Sequence, residues 1–327
     1  MPAAERMRRV GRRWRLLVGM AGLGVAAWVL DSERSQLSGS VHILAHANVL
    51  LGLAALGLET ASDVAWGLMG YSLLPPTASL GRGRYVALSL AALAITNSIP
   101  FGAGASALYV IAQLQDAGLD AVTATSLVAA TNMVAIATLV ALFAAVLVLR
   151  APAATVLSGA DDVAIVTLGV LVLLGLGTLD RLVAAVLHAT RALARRVSRH
   201  HLEAALTRVA VPRIPRASLT RSLGWGLANW LFDFATLLTA LAAVGAHVGL
   251  AAAASAYVVG ALATNLPITP GGLGIVEGSI TVALVAFGGA PASMFAAVVL
   301  YRIASFWVWL PVGWGLYFWL ARRTAHA

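Results

Sequence analysis

The stretch LATNLPITPGGLGIVEG, Leu262 to Gly278, breaks an otherwise apolar run with two prolines, four glycines and a glutamate. Pro267 and Pro270 each remove a backbone donor and crowd the preceding turn, so a helix arriving from Ala251 is expected to stop near Asn265. Gly271, Gly272 and Gly274 permit backbone angles and close approaches that side chains forbid, and a second helix can restart near Gly274. This predicts two half-helices meeting inside a membrane. Non-helical backbone is tolerated at that depth only where protein buries it or it lines a polar cavity, so the break marks a candidate site.

Composition supplies the membrane. Hydrophobic residues make up 60% of the 327 and charged residues 11%, and the mean hydropathy is +0.89, far outside the soluble globular range. Every basic residue is arginine, and the formal net charge is +9. The arginines flank apolar spans in the positive-inside pattern instead of forming a nucleic-acid-binding face, so no nucleic acid partner is expected. With no cysteine in the chain, disulfides, thiolate nucleophiles and cysteine metal sites are excluded.

Arginine placement sets the expected topology. Residues 1–15 form a basic cytoplasmic head, and Leu16 to Leu30 reads as an uncleaved first span, with a signal peptide as the alternative. Asp31 to Ser40 then lies outside, and Val41 to Leu74 returns as one long helix carrying Glu59 and Asp63 on a shared face. Tyr85 to Gln115 is broken at TNSIPFGAG, Thr96 to Gly104, and each flank is too short to cross roughly 30 Å of hydrocarbon at about 1.5 Å per residue. Apolar runs at Ala121–Leu149 and Val163–Leu179 precede a basic loop, 180–218, whose arginines belong in the cytoplasm. Parity therefore makes Tyr85–Gln115 a hairpin that enters and leaves from the cytoplasm. Leu219–Val244 goes outward, and Ala292–Leu320 returns to Arg322 and Arg323, so Ala251–Phe287 is a second hairpin from the opposite face.

Span, hairpin and span thus occur twice, in 41–149 and 219–320, with opposite orientation. Tyr85, Thr96, Asn97, Pro100 and Gly102 parallel Tyr257, Thr264, Asn265, Pro267 and Gly271 with small drifts in spacing. The expected fold is all-α: one transmembrane domain over 1–327, with about six full spans and two re-entrant broken-helix hairpins in an inverted repeat. Its expected place is a bacterial-type plasma (inner) membrane, multi-pass, with both termini cytoplasmic.

Glu277 and Arg302 are the outstanding ionisable residues, because either one alone in hydrocarbon is costly. They can form a structural ion pair fixing the hairpin. In the alternative, Arg302 grips a phosphate with its planar fork while Glu277 orients or releases it. Asp233, Glu59 and Asp63 can serve as a proton or cation relay or as polar bundle contacts. Asn97 and Asn265 sit where the first half-helices end, as C-caps or as part of the site. The aromatic residues from Tyr301 to Trp319 read as an interfacial belt and packing surface. His200 and His201 have no partners at ligand spacing, so no metal and no cofactor are expected. Gly272 and Gly274 begin a GxG, but Glu277 stands where the dinucleotide fingerprint needs glycine, and there is no GxSxG, HExxH or P-loop.

PGGLGIVEG (Pro270 to Gly278) followed by YRIASFW (Tyr301 to Trp307) resembles the lysylphosphatidylglycerol synthase transmembrane-region family of flippase-like membrane proteins, along nearly the whole chain. The resemblance implies movement or handling of anionic or lipid-linked membrane lipids, with Glu277 and Arg302 as the matching positions. Aminoacyl-phospholipid synthases of the family add a soluble transferase-like domain; this chain ends at Ala327, so it is not expected to make lysyl-lipid. Many relatives carry a charge just after the first hairpin's glycines, where this chain has Ala105, Ser106 and Ala107, which speaks against a strict two-site charge mechanism.

The expected function is a lipid translocator or flippase-like protein acting on an anionic phospholipid or a lipid-phosphate-linked sugar. Its substrate-binding residues would be Arg302, Glu277, Asn265, Pro270, Gly271, Gly272, Gly274, Asn97 and Asp233. Expected partners are membrane lipids, with envelope-lipid biosynthetic enzymes as further candidates. The alternative is a non-transport membrane subunit or lipid-dependent transferase in envelope glycolipid synthesis.

Overall fold

The computed structural model describes residues 34–99, 102–150, 214–264 and 269–324, and among them every regular element is a helix. In chain order these are α1 (Arg34–Ala45), α2 (Val49–Tyr71), α3 (Arg82–Ser98), α4 (Gly102–Asp116), α5 (Ala121–Arg150), α6 (Arg216–Ala243), α7 (Leu250–Thr264), α8 (Ile275–Ala286), α9 (Pro291–Arg302) and α10 (Trp309–Thr324). A 3-10 turn, Pro270–Gly272, lies between α7 and α8, and a π-helical turn, Ile303–Trp307, joins α9 to α10. Among the described residues four stretches are long and apolar enough to cross a membrane: Val49–Tyr71, Ala121–Val146, Arg216–Ala243 and Pro291–Arg322. Each coincides with a predicted span. The predicted spans Leu16–Leu30 and Val163–Leu179, together with Pro100, Asn265, Pro267 and nearly all of the basic loop, fall outside the described residues.

The structure departs from the expected helices in two places. Val41–Leu74 is not one helix: the Asn48 side chain accepts from the N–H groups of Leu50 and Leu51 at 3.0 and 3.2 Å, which starts α2 afresh. The Asn48 N–H donates to the Ala243 carbonyl at 2.8 Å, fastening the start of α2 to the end of α6. The C-terminal span is likewise interrupted, because Pro311 has no N–H for the Trp307 carbonyl and its ring crowds that carbonyl. The turn before it widens, and the Val308 N–H reaches the Ile303 carbonyl at 3.2 Å.

Both broken segments fold back on themselves. In the first, Gly102 approaches the backbone of Ile95 and Thr96 too closely for a side chain, and Thr96 Oγ1 donates to Ser106 Oγ at 2.7 Å. In the second, Gly260 of α7 lies against Ile280 of α8 with no room for a Cβ between them. The break at Pro270–Gly272 packs against α3, so the second fold-back reaches the first helix of the other pair.

The central seam joins α2 to α6. Small and hydroxyl-bearing residues line it, which lets the backbones approach and puts hydrogen bonds where lipid offers none. Ser62 Oγ donates to the Asn229 carbonyl at 3.0 Å, Asn229 Nδ2 donates to Ser62 Oγ at 2.8 Å and to its carbonyl at 3.1 Å, and Ser222 Oγ donates to the Met69 carbonyl at 3.0 Å. On the other flank α10 packs on α3, where Gly313 contacts the Leu90 backbone and Trp314 Nε1 donates to Ser98 Oγ at 2.9 Å. Outward-facing side chains are apolar: Leu50 is 77% exposed, Leu108 70% and Val282 69%, a surface suited to lipid. Asp120 caps α5 just outside its apolar run, and the Thr123 hydroxyl bound to it at 2.6 Å holds its carboxyl below the usual range.

Asn229→Ala removes both amide donations across the central seam. Thermal unfolding in detergent is expected to show a loss of about 1 kcal/mol, the usual size of an interhelical hydrogen bond in a bundle of this kind.

Candidate functional site

The helix from Leu250 ends at Thr264 and its successor starts at Ile275, with Gly274 as N-cap, as the prolines and glycines predict. Gly271, Gly272 and Gly274 all take positive φ, at 57°, 69° and 81°, which glycine alone adopts freely. At Gly271 a second constraint applies, since any Cβ there would overlap the ring of Phe306. Within the break the Gly272 and Leu273 N–H groups find the Thr269 and Pro270 carbonyls at 3.1 and 3.2 Å, and Thr269 Oγ1 donates to the Leu273 carbonyl at 3.0 Å.

Two backbone groups at the break are satisfied by side chains. The Gly274 N–H donates to Glu277 Oε2 at 2.7 Å, closing the first turn of α8 as an N-terminal acid does. The Gly271 carbonyl accepts from Arg302 Nη2 at 2.8 Å, and Arg302 Nε donates to Glu277 Oε1 at 2.7 Å. A single guanidinium on α9 therefore ties together the turn and the restarted helix. Its Cζ lies 4.4 Å from the centroid of the Phe306 ring, which lends cation–π support and fills the space beside Gly271. Arg302 is buried, with 7% of its surface exposed. The ion-pair reading of these residues is thus realised in geometry, and the same fork geometry suits phosphate.

A second polar centre, whose parts the sequence presents separately, is reached through the neighbouring residue Tyr301. Asp233 of α6 accepts from Tyr257 of α7 and from Tyr301 of α9, each hydroxyl at 2.8 Å. Glu59 and Asp63 of α2 are 5% and 6% exposed, and both lie within electrostatic reach of Asp233. The Tyr257 and Tyr301 rings sit in the apolar core beside Ile280 and Met294. Tyr301 is therefore not a belt residue as expected; it points inward and anchors Asp233. Its contact was hidden because it depends on α6 and α9 packing together, which no local pattern encodes.

Asn97 lies half-buried in the last turn of α3, and Asn265 lies outside the described residues. Pro270 opens the 3-10 turn at N1. An apolar groove of about 270 Å³ lies between the start of α2, at Gly52, Leu53 and Leu56, and the Leu300, Ile303 and Ala304 face of the last span; Arg302 is not part of its lining. A larger cavity of about 610 Å³ lies at the other end of the bundle, between Pro75–Arg82 and Pro215–Arg221.

Since breaking a buried pair strands one charge, Glu277→Gln and Arg302→Met are each expected to destabilise by about 3–5 kcal/mol. The double variant should cost clearly less than the sum of the two, and a double-mutant cycle from chemical unfolding measures that coupling. Additive losses would show that the contact carries no energy.

None of the curated proteins matches this chain. The family model described as lysylphosphatidylglycerol synthase TM region matches residues 7–313, a stretch that takes in both fold-back helix pairs, Glu277 and Arg302. By that match over nearly its full length, this multi-pass membrane protein belongs to the lysylphosphatidylglycerol synthase TM region family.

Proposed function

We propose that this chain translocates an anionic, phosphate-bearing membrane lipid, and that Arg302 is the residue that recognises the phosphate. The observation that carries this reading is the buried guanidinium that ties the turn at the helix break to the restarted helix. A phosphate offers the same kind of paired oxygen acceptors as the Glu277 carboxylate, so it can displace Glu277 or the Gly271 carbonyl from the fork. Displacement frees one tie between the turn and α8, which loosens the break while the headgroup occupies the place vacated beside Arg302. The N-terminus of α8, opening at Gly274, adds a favourable dipole for the anion. An apolar groove along Leu53, Leu56, Leu300 and Ile303, on another face of the same span, offers acyl chains a place between helices.

In this reading the two fold-back pairs re-enter the membrane from opposite faces as an inverted repeat of an inner-membrane protein with cytoplasmic termini. Their matched sequels support it: each pair is followed by a left-handed glycine, Gly118 at φ 92° and Gly288 at φ 94°, and then by a long apolar run. Single cysteines can report the topology because the chain has none of its own. A cysteine at exposed Gln115 is expected to label only from the cytoplasmic side and one at exposed Ala290 only from outside. Labelling of both from the same side would remove the opposed-hairpin arrangement.

The function itself is tested in vesicles of phosphatidylglycerol and phosphatidylcholine carrying a fluorescent phosphatidylglycerol that an external reductant bleaches. The protein is expected to expose inner-leaflet probe, and Arg302→Lys, which keeps the charge but loses the fork, should slow this about tenfold, the value of one charge-assisted hydrogen bond. A Lys variant as fast as the parent excludes bidentate recognition. A folded protein that moves no anionic lipid at all would favour the transferase or membrane-subunit reading.

A further inference from the structure

We propose that Glu59, Asp63 and Asp233 form a buried proton-exchange site and that its occupancy governs the Arg302 clamp through Tyr301. The inference deepens the proposed function, because the clamp is the element that reading opens, but it stands on its own geometry. Glu59 Oε2 and Asp63 Oδ2 are buried and have no hydrogen-bond partner, and both side chains are more than nine-tenths buried. An ionised oxygen left so is expensive, whereas a neutral carboxyl brings a donor of its own. Glu59, Asp63 and Asp233 lie within electrostatic reach of one another, so a proton held by one of them relieves repulsion among all three.

The surrounding charges leave the same vacancy for a proton. Facing the cluster are Tyr257 from α7 and Tyr301 and Arg302 from α9, besides the acids themselves on α2 and α6. Both tyrosines donate to Asp233 and bring no charge. Arg302 acts on Asp233 electrostatically, but its direct partner is Glu277, with which it forms a neutral pair. Three acids thus share the influence of a cation that is already committed. Two unit charges about 4 Å apart repel by about 4 kcal/mol near a protein's effective dielectric, so full ionisation of all three is strongly opposed. A metal ion would serve instead only if the acids converged, and among the described residues no three acidic or histidine side chains do so.

Transmission follows from the sequence order. Tyr301 and Arg302 are neighbours on α9, one bound to Asp233 and the other to Glu277 and Gly271. When the proton leaves, the added negative charge strengthens the pull on Arg302, competing with Glu277 for the guanidinium and loosening the break. When it returns, Arg302 goes back to Glu277. The predicted consequence is a clamp whose closure depends on pH on whichever side the cluster exchanges.

The test reads the site and the clamp without any lipid movement, so failure of the translocation reading leaves it intact. Infrared difference spectra of the reconstituted protein are expected to show a carboxylic-acid carbonyl band that disappears on raising pH and is lost or shifted in Glu59→Gln or Asp233→Asn. A band unchanged in both variants, or no band, overturns the proton site. A band removed by sodium at constant pH overturns it in favour of a metal ion. For the clamp, a single cysteine at half-buried Leu273 is labelled across pH, with its rate divided by that of a cysteine at exposed Ala290 to cancel thiol ionisation. The ratio should vary with pH in the parent and become flat in Asp233→Asn and Tyr301→Phe. Identical profiles in parent and variants would show that the acids and the clamp are not linked.

Discussion

A membrane interior supplies no partner for a broken backbone, and the arrangement around Arg302 is the answer this chain gives to that constraint. The prolines and glycines at Pro270–Gly274 interrupt a helix, which frees a carbonyl at Gly271 and an N–H at Gly274. Both are met by side chains that also meet each other. Neither half of the pair would be tolerable alone, since the arginine would be an unpaired buried charge and the glutamate likewise. Phe306 completes the unit by occupying the space that glycine leaves at position 271. The π-helical turn set by Pro311 follows Arg302 directly and contains Phe306, so the irregularity of the last span belongs to the same construction.

The second constraint is how two polar centres coexist on adjacent residues of one helix. Successive helical residues point about 100° apart, so Tyr301 and Arg302 serve different neighbours while moving as one body. Tyr301 turns to Asp233 of α6, whose seam with α2 carries the Ser62, Asn229 and Ser222 hydrogen bonds. Arg302 turns to the break. The rigid seam fixes the acids, whereas the break is held by an exchangeable set of charge-assisted bonds. A rotation of α9 small enough to preserve its own hydrogen bonds would alter both centres together.

Much of this was legible in local sequence, and what was hidden required long-range contact. The end of α7 at Thr264 and the start of α8 at Ile275 follow from Pro267, Pro270 and the glycines, because those residues act on their own backbone. The pairing of Glu277 with Arg302 was readable from the cost of isolated charges in hydrocarbon. The i, i+4 spacing of Glu59 and Asp63 put them on one face, but nothing local says that this face meets Asp233, whose helix lies more than 150 residues on. Tyr301 was misassigned for the same reason: a tyrosine near tryptophans fits an interface as well as a buried acceptor. Asn48 was missed because its cap falls inside an apolar run, where a single asparagine hardly disturbs the average hydropathy.

The two breaks solve the same problem by different chemistry. At the first, hydroxyls do the bridging: Thr96 Oγ1 donates to Ser106 Oγ at 2.7 Å, Ser106 Oγ donates to the Ala103 carbonyl at 3.0 Å, and Trp314 Nε1 donates to Ser98 Oγ at 2.9 Å. Among the described residues no formal charge enters these bonds, in keeping with Ala105, Ser106 and Ala107 after its glycines. Neutral hydrogen bonds of this kind respond little to an arriving anion, whereas the ion pair at the second break responds directly, since a phosphate competes for one member and repels the other. The asymmetry therefore assigns the fold-backs different tasks. The uncharged one braces α10 through Trp314 and Gly313, and its helix α3 packs against the Pro270–Gly272 turn of the charged one.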